Sequence, residues 1–484
     1  MSGYFGQVWL ARLLVQRGLA AIYLIAFWSA AVQFPALLGE HGLLPAPAFL
    51  RQVRFRDAPS LFHWCYSDKL ARLVAWIGAA LAASALSGAA ERGPVWVGLA
   101  VWLVMWILYL SLVNVGQQFY AFGWESMLLE AGFFAAFLGP SWMRAPLIPI
   151  LILRWMLFRT ELGAGLIKLR HDSCWRDLTC LYFHYETQPL PNPLSRSFHR
   201  LPRRLQRHSV LFSHFIQVVA PFGLFAPQPV AAVCGALAIL HQLLLIVSGN
   251  YSWLNWLTVV LGLTAFSDAA LGFATPLTRP LPFAMLVVLV ALAAFTIWAS
   301  VQPVRNLMSP RQAMNRNYNP LHLVGSYGAF GTVTRVRYEV VLEATRESTP
   351  GEHGGWHAYE FKAKPGDPTR RPPQVAPYHL RLDWMMWFLP FAVQVRAGGM
   401  QIPGYELWFL RLAQKLLLAD AATLRLLRSA PFGTQPPSFV RALFYRYRFS
   451  TPEEWRRHGS IWMRELVGTY LPPVSLAQLT ALSL

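Results

Sequence analysis

The sequence predicts an α-helical multi-pass membrane bundle of about seven to nine apolar helices, followed by a C-terminal α+β domain with a small antiparallel sheet. Three observations predict it. Of 484 residues, 55% are apolar and 13% charged, against about 25% charged in an ordinary soluble domain. The apolar residues come in runs of about 20, the number a helix needs to cross about 30 Å of hydrocarbon. The charges crowd into the last third, where residues 302–484 hold 22 of the 42 basic and 12 of the 23 acidic side chains. This shift divides the chain into a transmembrane helical domain, 1–301, with loops 39–69 and 170–208, and a water-exposed domain, 302–484. It excludes a disordered chain and a disulfide-rich secreted module.

Nine apolar stretches account for the helices: 18–38, 70–90, 95–115, 119–138, 146–169, 209–226, 229–248, 251–266 and 281–301. Those at 70–90, 95–115, 229–248 and 281–301 read as full spans. Those at 209–226 and 251–266 are short, so they are tilted, re-entrant or buried against neighbours. The first is too long for a cleavable signal and lacks a small-residue cleavage site, so it reads as a retained anchor. After residue 301 the pattern changes. Runs 332–345 and 356–364 read as a hairpin with a long loop, 407–418 and 421–427 as helices, and 439–449 as a strand.

A net charge of +19 raises nucleic acid as a partner, but the basic residues are dispersed through loops flanking apolar runs. Anionic headgroups of a lipid bilayer attract such residues, at about 1 kcal/mol each near the surface. The bilayer is therefore the partner the charge implies. Arg12 and Arg17, just before the first span, favour a cytosolic N-terminus and an outward C-terminal domain. The richer basic content of loops 39–69 and 170–208 argues the opposite way.

Ionisable residues inside the apolar stretches are the first candidates for chemistry. Glu125 and Glu130 lie in the fourth, and Arg154, Arg159, Glu161 and Lys168 in the fifth. A charge at mid-bilayer costs several kcal/mol unless it is paired or hydrated. The basic residues are therefore expected to find Glu125 and Glu130, and Lys168 to pair with Glu125, Glu130 or Glu161. The group forms either a polar substrate cavity or an ion-pair network that fixes the packing. Gly163 and Gly165 permit close approach on the same helix.

Of the cysteines at 65, 174, 180 and 234, Cys174 and Cys180 share a polar loop. They form a disulfide if that loop faces an oxidising compartment, or remain two thiols if it does not. His171, His184 and His199 with Asp172, Asp177 and Glu186 match no zinc spacing, so no metal is expected. Nucleophile-elbow, dinucleotide and phosphate-loop motifs are missing from the sequence, so neither a cofactor nor an enzyme is indicated.

Several runs carry a resemblance. They are Phe122-Gly-Trp-Glu-Ser126, Gly163-Ala-Gly-Leu-Ile-Lys168, Cys174-Trp-Arg-Asp-Leu-Thr179 and His184-Tyr-Glu-Thr-Gln-Pro-Leu-Pro-Asn-Pro193. They continue with Ser248-Gly-Asn-Tyr-Ser-Trp-Leu-Asn-Trp-Leu-Thr258, Tyr327-Gly-Ala-Phe-Gly331, Tyr359-Glu-Phe-Lys-Ala-Lys-Pro-Gly-Asp-Pro368 and Tyr378-His-Leu-Arg-Leu-Asp-Trp-Met-Met-Trp387. Together they resemble the signature of the lipase maturation factor family from about residue 3 to the C-terminus. Two departures are His171, where the family usually has Gly, and the short link 267–280. The resemblance implies a multi-pass membrane protein that assists folding of secreted lipases. It implies the endoplasmic reticulum membrane, or the plasma membrane in a bacterium, and a C-terminal domain that holds the client.

Within that domain, a Pro-Gly turn is expected to present Asp367, Arg370 and Arg371 at an exposed tip, with Asp383, Trp384 and Trp387 as adjoining surface. The rival reading is a membrane enzyme, similar in outline to vitamin K-dependent carboxylases. Its site would be the intramembrane charged group beside the Cys174/Cys180 loop.

Overall fold

The computed structural model describes residues 2–315, 319–349, 351, 354–396 and 399–482. The N-terminal part contains α1 (Trp9–Leu38), α2 (Asp68–Ser87), α3 (Val95–Asn114), α4 (Gly123–Ala135), α5 (Leu147–Arg170), α6 (Arg203–His214), α7 (Val230–Ser248), α8 (Leu254–Gly262) and α9 (Phe283–Ala299). Among the described residues, five are long and apolar enough to cross a membrane: α1, α2, α3, α7, and α9 with its continuation to Met308.

The other four apolar stretches fold differently from full apolar spans. Stretch 119–138 breaks at Ala121 and Phe122, which leaves α4 only 13 residues. Helix α5 has the length, at 24 residues, but carries five charged side chains. Stretch 209–226 divides into the end of α6, a π turn (Phe215–Val219) and one further turn (Ala220–Gly223). Helix α8 has nine residues.

Local chemistry sets these boundaries. The Ser67 hydroxyl accepts the Leu70 amide and starts α2, and Gly88 at φ 79° ends it. Helix α2 turns Ala71, Ala75, Gly78, Ala79, Ala82 and Ala85 inward. This small-residue face lets α1 come close, and a Cβ on Gly78 would meet the Phe27 ring at 2.3 Å. The outward faces of the candidate spans carry exposed Leu73, Ile77, Val104, Ile107, Val233, Leu240, Val287 and Val290. Trp96, Phe283 and Trp298 are exposed at helix ends, as interfacial aromatic anchors are. Exposed apolar surface of this extent suits a hydrocarbon solvent.

The C-terminal part holds strands β1 (Arg337–Thr345) and β2 (His357–Ala358), helix α10 (Arg381–Phe388), a small pair β3 (Gln394–Arg396) and β4 (Gly399–Gln401), helix α11 (Leu407–Leu417), and strands β5 (Phe439–Phe449) and β6 (Trp462–Val474). The main sheet runs β2-β1-β5-β6, all antiparallel. The expected hairpin is a two-residue contact, Glu343 with Ala358 and Ala344 with His357. The long partner of β1 is β5, matched from Arg337↔Tyr447 to Thr345↔Phe439. Helix α11 buries Trp408, Phe409, Leu412, Ala413, Leu416 and Leu417, the i, i+4, i+8 stripe of an amphipathic helix. One hydrophobic core joins both parts, running from Tyr23 and Trp102 to Leu342, Trp384 and Trp408.

Candidate functional site

Glu125, Glu130 and Lys168 each stand at the centre of a separate buried cluster. In the first, Glu125 on α4 takes the guanidinium of Arg381, Nη1 to Oε1, at 2.6 Å. The Tyr109 hydroxyl donates to its other oxygen, and His379 Nδ1 lies 3.5 Å away. Arg381 also donates to the Phe119 carbonyl at 2.8 Å and lies over the Tyr120 ring. Its backbone N–H donates to Gln33 on α1 at 3.1 Å. Glu125 thus finds its cation in the C-terminal part, not on α5 as the sequence suggested. The reason is placement: α10 enters the bundle beside α4, and its Arg381 is fully buried. Burial holds the His379 imidazole down to about 4, so it stays neutral beside this pair.

The second cluster joins Glu130 to Arg159, as the sequence suggested. The Gly325 N–H and the Tyr327 hydroxyl donate to the other Glu130 oxygen at 3.0 and 2.6 Å. Arg159 in turn donates to the Gly325 carbonyl. Both clusters are sealed, since Glu125, Glu130, Arg159 and Arg381 are at most 1% exposed. Arg154 departs from expectation. Among the described residues it meets no carboxylate, and it donates to the carbonyls of Leu224 and Thr264, with the Phe5 ring beside it.

The third cluster is built around Lys168. Its ammonium donates to Gln217 Oε1 at 2.7 Å and lies 4.8 Å from the centre of the Trp175 ring. Gln217 then donates from Nε2 to Glu161 at 3.1 Å, and Gln242 donates to the other Glu161 oxygen at 2.7 Å. Lys168 is buried, but its link to Glu161 runs through an amide. The expected direct pairing is corrected: Gln217, on the π turn, occupies the space between the two charges. Gly163 and Gly165 also serve other partners than a neighbouring long helix. A Cβ on Gly163 would meet the Tyr327 carbonyl oxygen at 2.2 Å, and one on Gly165 would meet Gln217 and Val218 at 2.8–3.0 Å.

Glu161, Lys168, Gln217 and Gln242 line one side of a cavity of about 350 Å³. Its other side is Trp124, Trp384, Trp387, Phe388 and Phe391. A second groove, of about 610 Å³, shares Pro189, Phe330, Thr332, Trp387 and Phe391 with it. Sequence reading found the charged half of this lining. It missed Gln217, Gln242 and Asn255, because a single amide in an apolar run has no periodic signal.

The loop after α5 closes over this region. Cys174 and Cys180 form a disulfide, and the Trp175 indole N–H donates to the Phe330 carbonyl at 2.9 Å. Asp172 lies against both sulfurs, but bonded cysteines leave that trio one usable metal ligand. Arg335 pairs with Asp172 at 2.7 Å and holds its carboxyl at about 2, helped by the Val333 and Cys174 amides. Arg337 donates to the carbonyls of Glu186, Gln188 and Pro189, at 3.0, 2.5 and 3.1 Å, which ties the proline-rich run to β1. The loop and the C-terminal part therefore share one side of the bundle.

The family model described as Lipase maturation factor transmembrane domain matches residues 10–273, and that described as Lipase maturation factor C-terminal domain matches residues 323–472. The chain belongs to the lipase maturation factor family. It is 43% identical to human Lipase maturation factor 1 over 98% of this chain and 89% of the relative. It is 42% identical to the cattle Lipase maturation factor 1 over 97% and 90%. Human Lipase maturation factor 2 is 29% identical over 97% and 83%. No solved structure matches.

Within the matched lipase maturation factor C-terminal domain, the expected tip is only partly exposed. Asp367 is exposed and accepts both the N–H and the hydroxyl of Thr369 at 2.8 Å. Arg371 is exposed, with one long contact to the Pro193 carbonyl. Arg370 folds inward onto Glu360 and the carbonyls of Phe361 and Lys362. Asp383 and Trp384, expected at the surface, are 1% and 4% exposed. Asp383 accepts the Ala363 and Lys364 amides at 2.7 and 3.0 Å and so fixes the turn from below, and burial pushes its carboxyl above the usual range. Trp384 packs on Trp124, ring centres 4.9 Å apart. Trp387 is half-buried, donates to the Thr187 carbonyl and lines the cavity.

Proposed function

We propose that this protein is a membrane-embedded maturation factor that helps secreted lipases reach an active fold. The observation that carries this reading is identity above 40%, across nearly the whole of both chains, to proteins named Lipase maturation factor 1. Residues 302–484 act as the client-holding domain on the extracytoplasmic side. The disulfide supports that side, because such bonds persist in oxidising compartments, and its loop is bonded to the segment before β1. The membrane is that of the endoplasmic reticulum, or the plasma membrane if the source is bacterial.

The role is non-catalytic. Glu125, Glu130 and Arg159 sit in sealed pairs that hold the C-terminal part to the bundle, which is a structural use of buried charge. Client contact falls to the exposed groups Asp367 and Arg371. Converting both to Ala lowers the yield of active secreted lipase and leaves the protein's abundance in the membrane unchanged. Loss of abundance together with activity would make the turn structural. Unchanged lipase activity at normal abundance would end the assignment of this turn.

A further inference from the structure

We infer that the cavity beside Lys168 is a binding site for a single acyl amphiphile whose head carries anionic oxygens. The inference goes beyond the role in lipase maturation and does not depend on it.

The polar end of the cavity has donors to spare. An ammonium has three N–H groups, and Lys168 gives one to Gln217. Among the described residues no carboxylate lies within salt-bridge distance of it. Glu161 is linked to it only through the Gln217 amide, and takes its own hydrogen bonds from Gln217 and Gln242. Asn255 is 4% exposed and lines the same cavity. The indole N–H of Trp124, on the same wall, is also buried without an acceptor. A buried donor left unpaired is costly, and Trp124 lines the same space as the Lys168 ammonium and the Asn255 amide. The group that would satisfy them is rich in acceptor oxygens and negatively charged, as a carboxylate or a phosphate is.

The rest of the lining is largely apolar and aromatic, with Phe330, Trp387 and Phe391 continuing into the neighbouring groove of about 610 Å³. A concave, mostly apolar site with a few convergent polar groups is what a small ligand needs. An acyl chain along the aromatic wall places its head on Lys168 Nζ and the Asn255 amide. Fatty acid and phospholipid are the two sources of that chemistry in a membrane.

The test uses the full-length protein in detergent micelles. Oleate, oleoyl lysophosphatidate and oleyl alcohol are each titrated, and binding is read by native mass spectrometry. One equivalent of oleate or of the lysophosphatidate is expected to bind, with the alcohol weaker, and the tighter of the two acids identifies the source. Lys168→Met lowers affinity for that acid by about tenfold or more, and Lys168→Arg restores part of it. If Lys168→Met is not monodisperse, Asn255→Ala replaces it and must also weaken binding. Failure of both acids to bind at one equivalent, equal binding of the alcohol, or affinity unchanged in the folded variant overturns the proposal.

Discussion

At the residue scale, the strongest claim is that Glu125 and Arg381 lock the C-terminal part into the bundle. The two are 256 positions apart in sequence and 2.6 Å apart in the fold. Removing one partner of a buried pair strands the other, at a cost of about 3–5 kcal/mol. Glu125→Gln is expected to destabilise the protein by that amount, measured by thermal unfolding in micelles. The double change Glu125→Gln with Arg381→Met should recover part of the loss. A double variant as unstable as the sum of its single changes would contradict the pairing. His379, beside this pair, makes a pH prediction. Its folded value of about 4 lies below the ordinary 6.5. Between those values the unfolded chain binds the proton and the folded chain does not, so stability falls as pH drops from 6.5 to about 4 and is fully present above 6.5. His379→Gln should remove that share of the slope, and an unchanged slope would show the imidazole free to protonate. Sequence reading gave Glu125 and Glu130 partners on α5, which holds for Glu130 with Arg159 but not for Glu125. Partner choice is a tertiary fact: Arg381 sits in a run, Tyr378-His-Leu-Arg-Leu-Asp, whose mixed polarity reads as surface until the neighbouring helix is known.

At the element scale, the readable parts were those with strong period. β5 alternates buried with less buried residues except at Ala442–Phe444, and was legible to its ends. α11 carries a clear apolar stripe and was legible within one residue. β6 was not legible, because Trp462–Val474 mixes charges with a Gly and ends in two prolines, and irregular pairing breaks its alternation. Stretch 209–226 was legible as apolar but not as three pieces. A π turn there brings Gln217 between Glu161 and Lys168, and hydropathy does not register such a turn. Helix α5 carries the element-scale prediction. Gly163 faces the Tyr327 carbonyl so closely that a methyl group forces the segment after α9 away. Ala is the better helix former by about 1 kcal/mol, yet Gly163→Ala is expected to destabilise by about 1–3 kcal/mol, because the obstacle is backbone. A melting temperature equal to or above the parent's would show that the Tyr327 segment is not docked there.

At the scale of the whole molecule, the membrane bundle and the sheet domain share one core, and the buried Glu125–Arg381 pair crosses between them. Under the proposed role, such a link would keep a client-holding surface at a fixed orientation to the bilayer. The central claim is that this unit raises the active fraction of secreted lipases. Its most direct test is deletion of the gene in its own organism, followed by assay of secreted lipase activity and secreted lipase mass. The account predicts that activity per unit mass falls and that the wild-type gene restores it. Equal specific activity with and without the protein would contradict it.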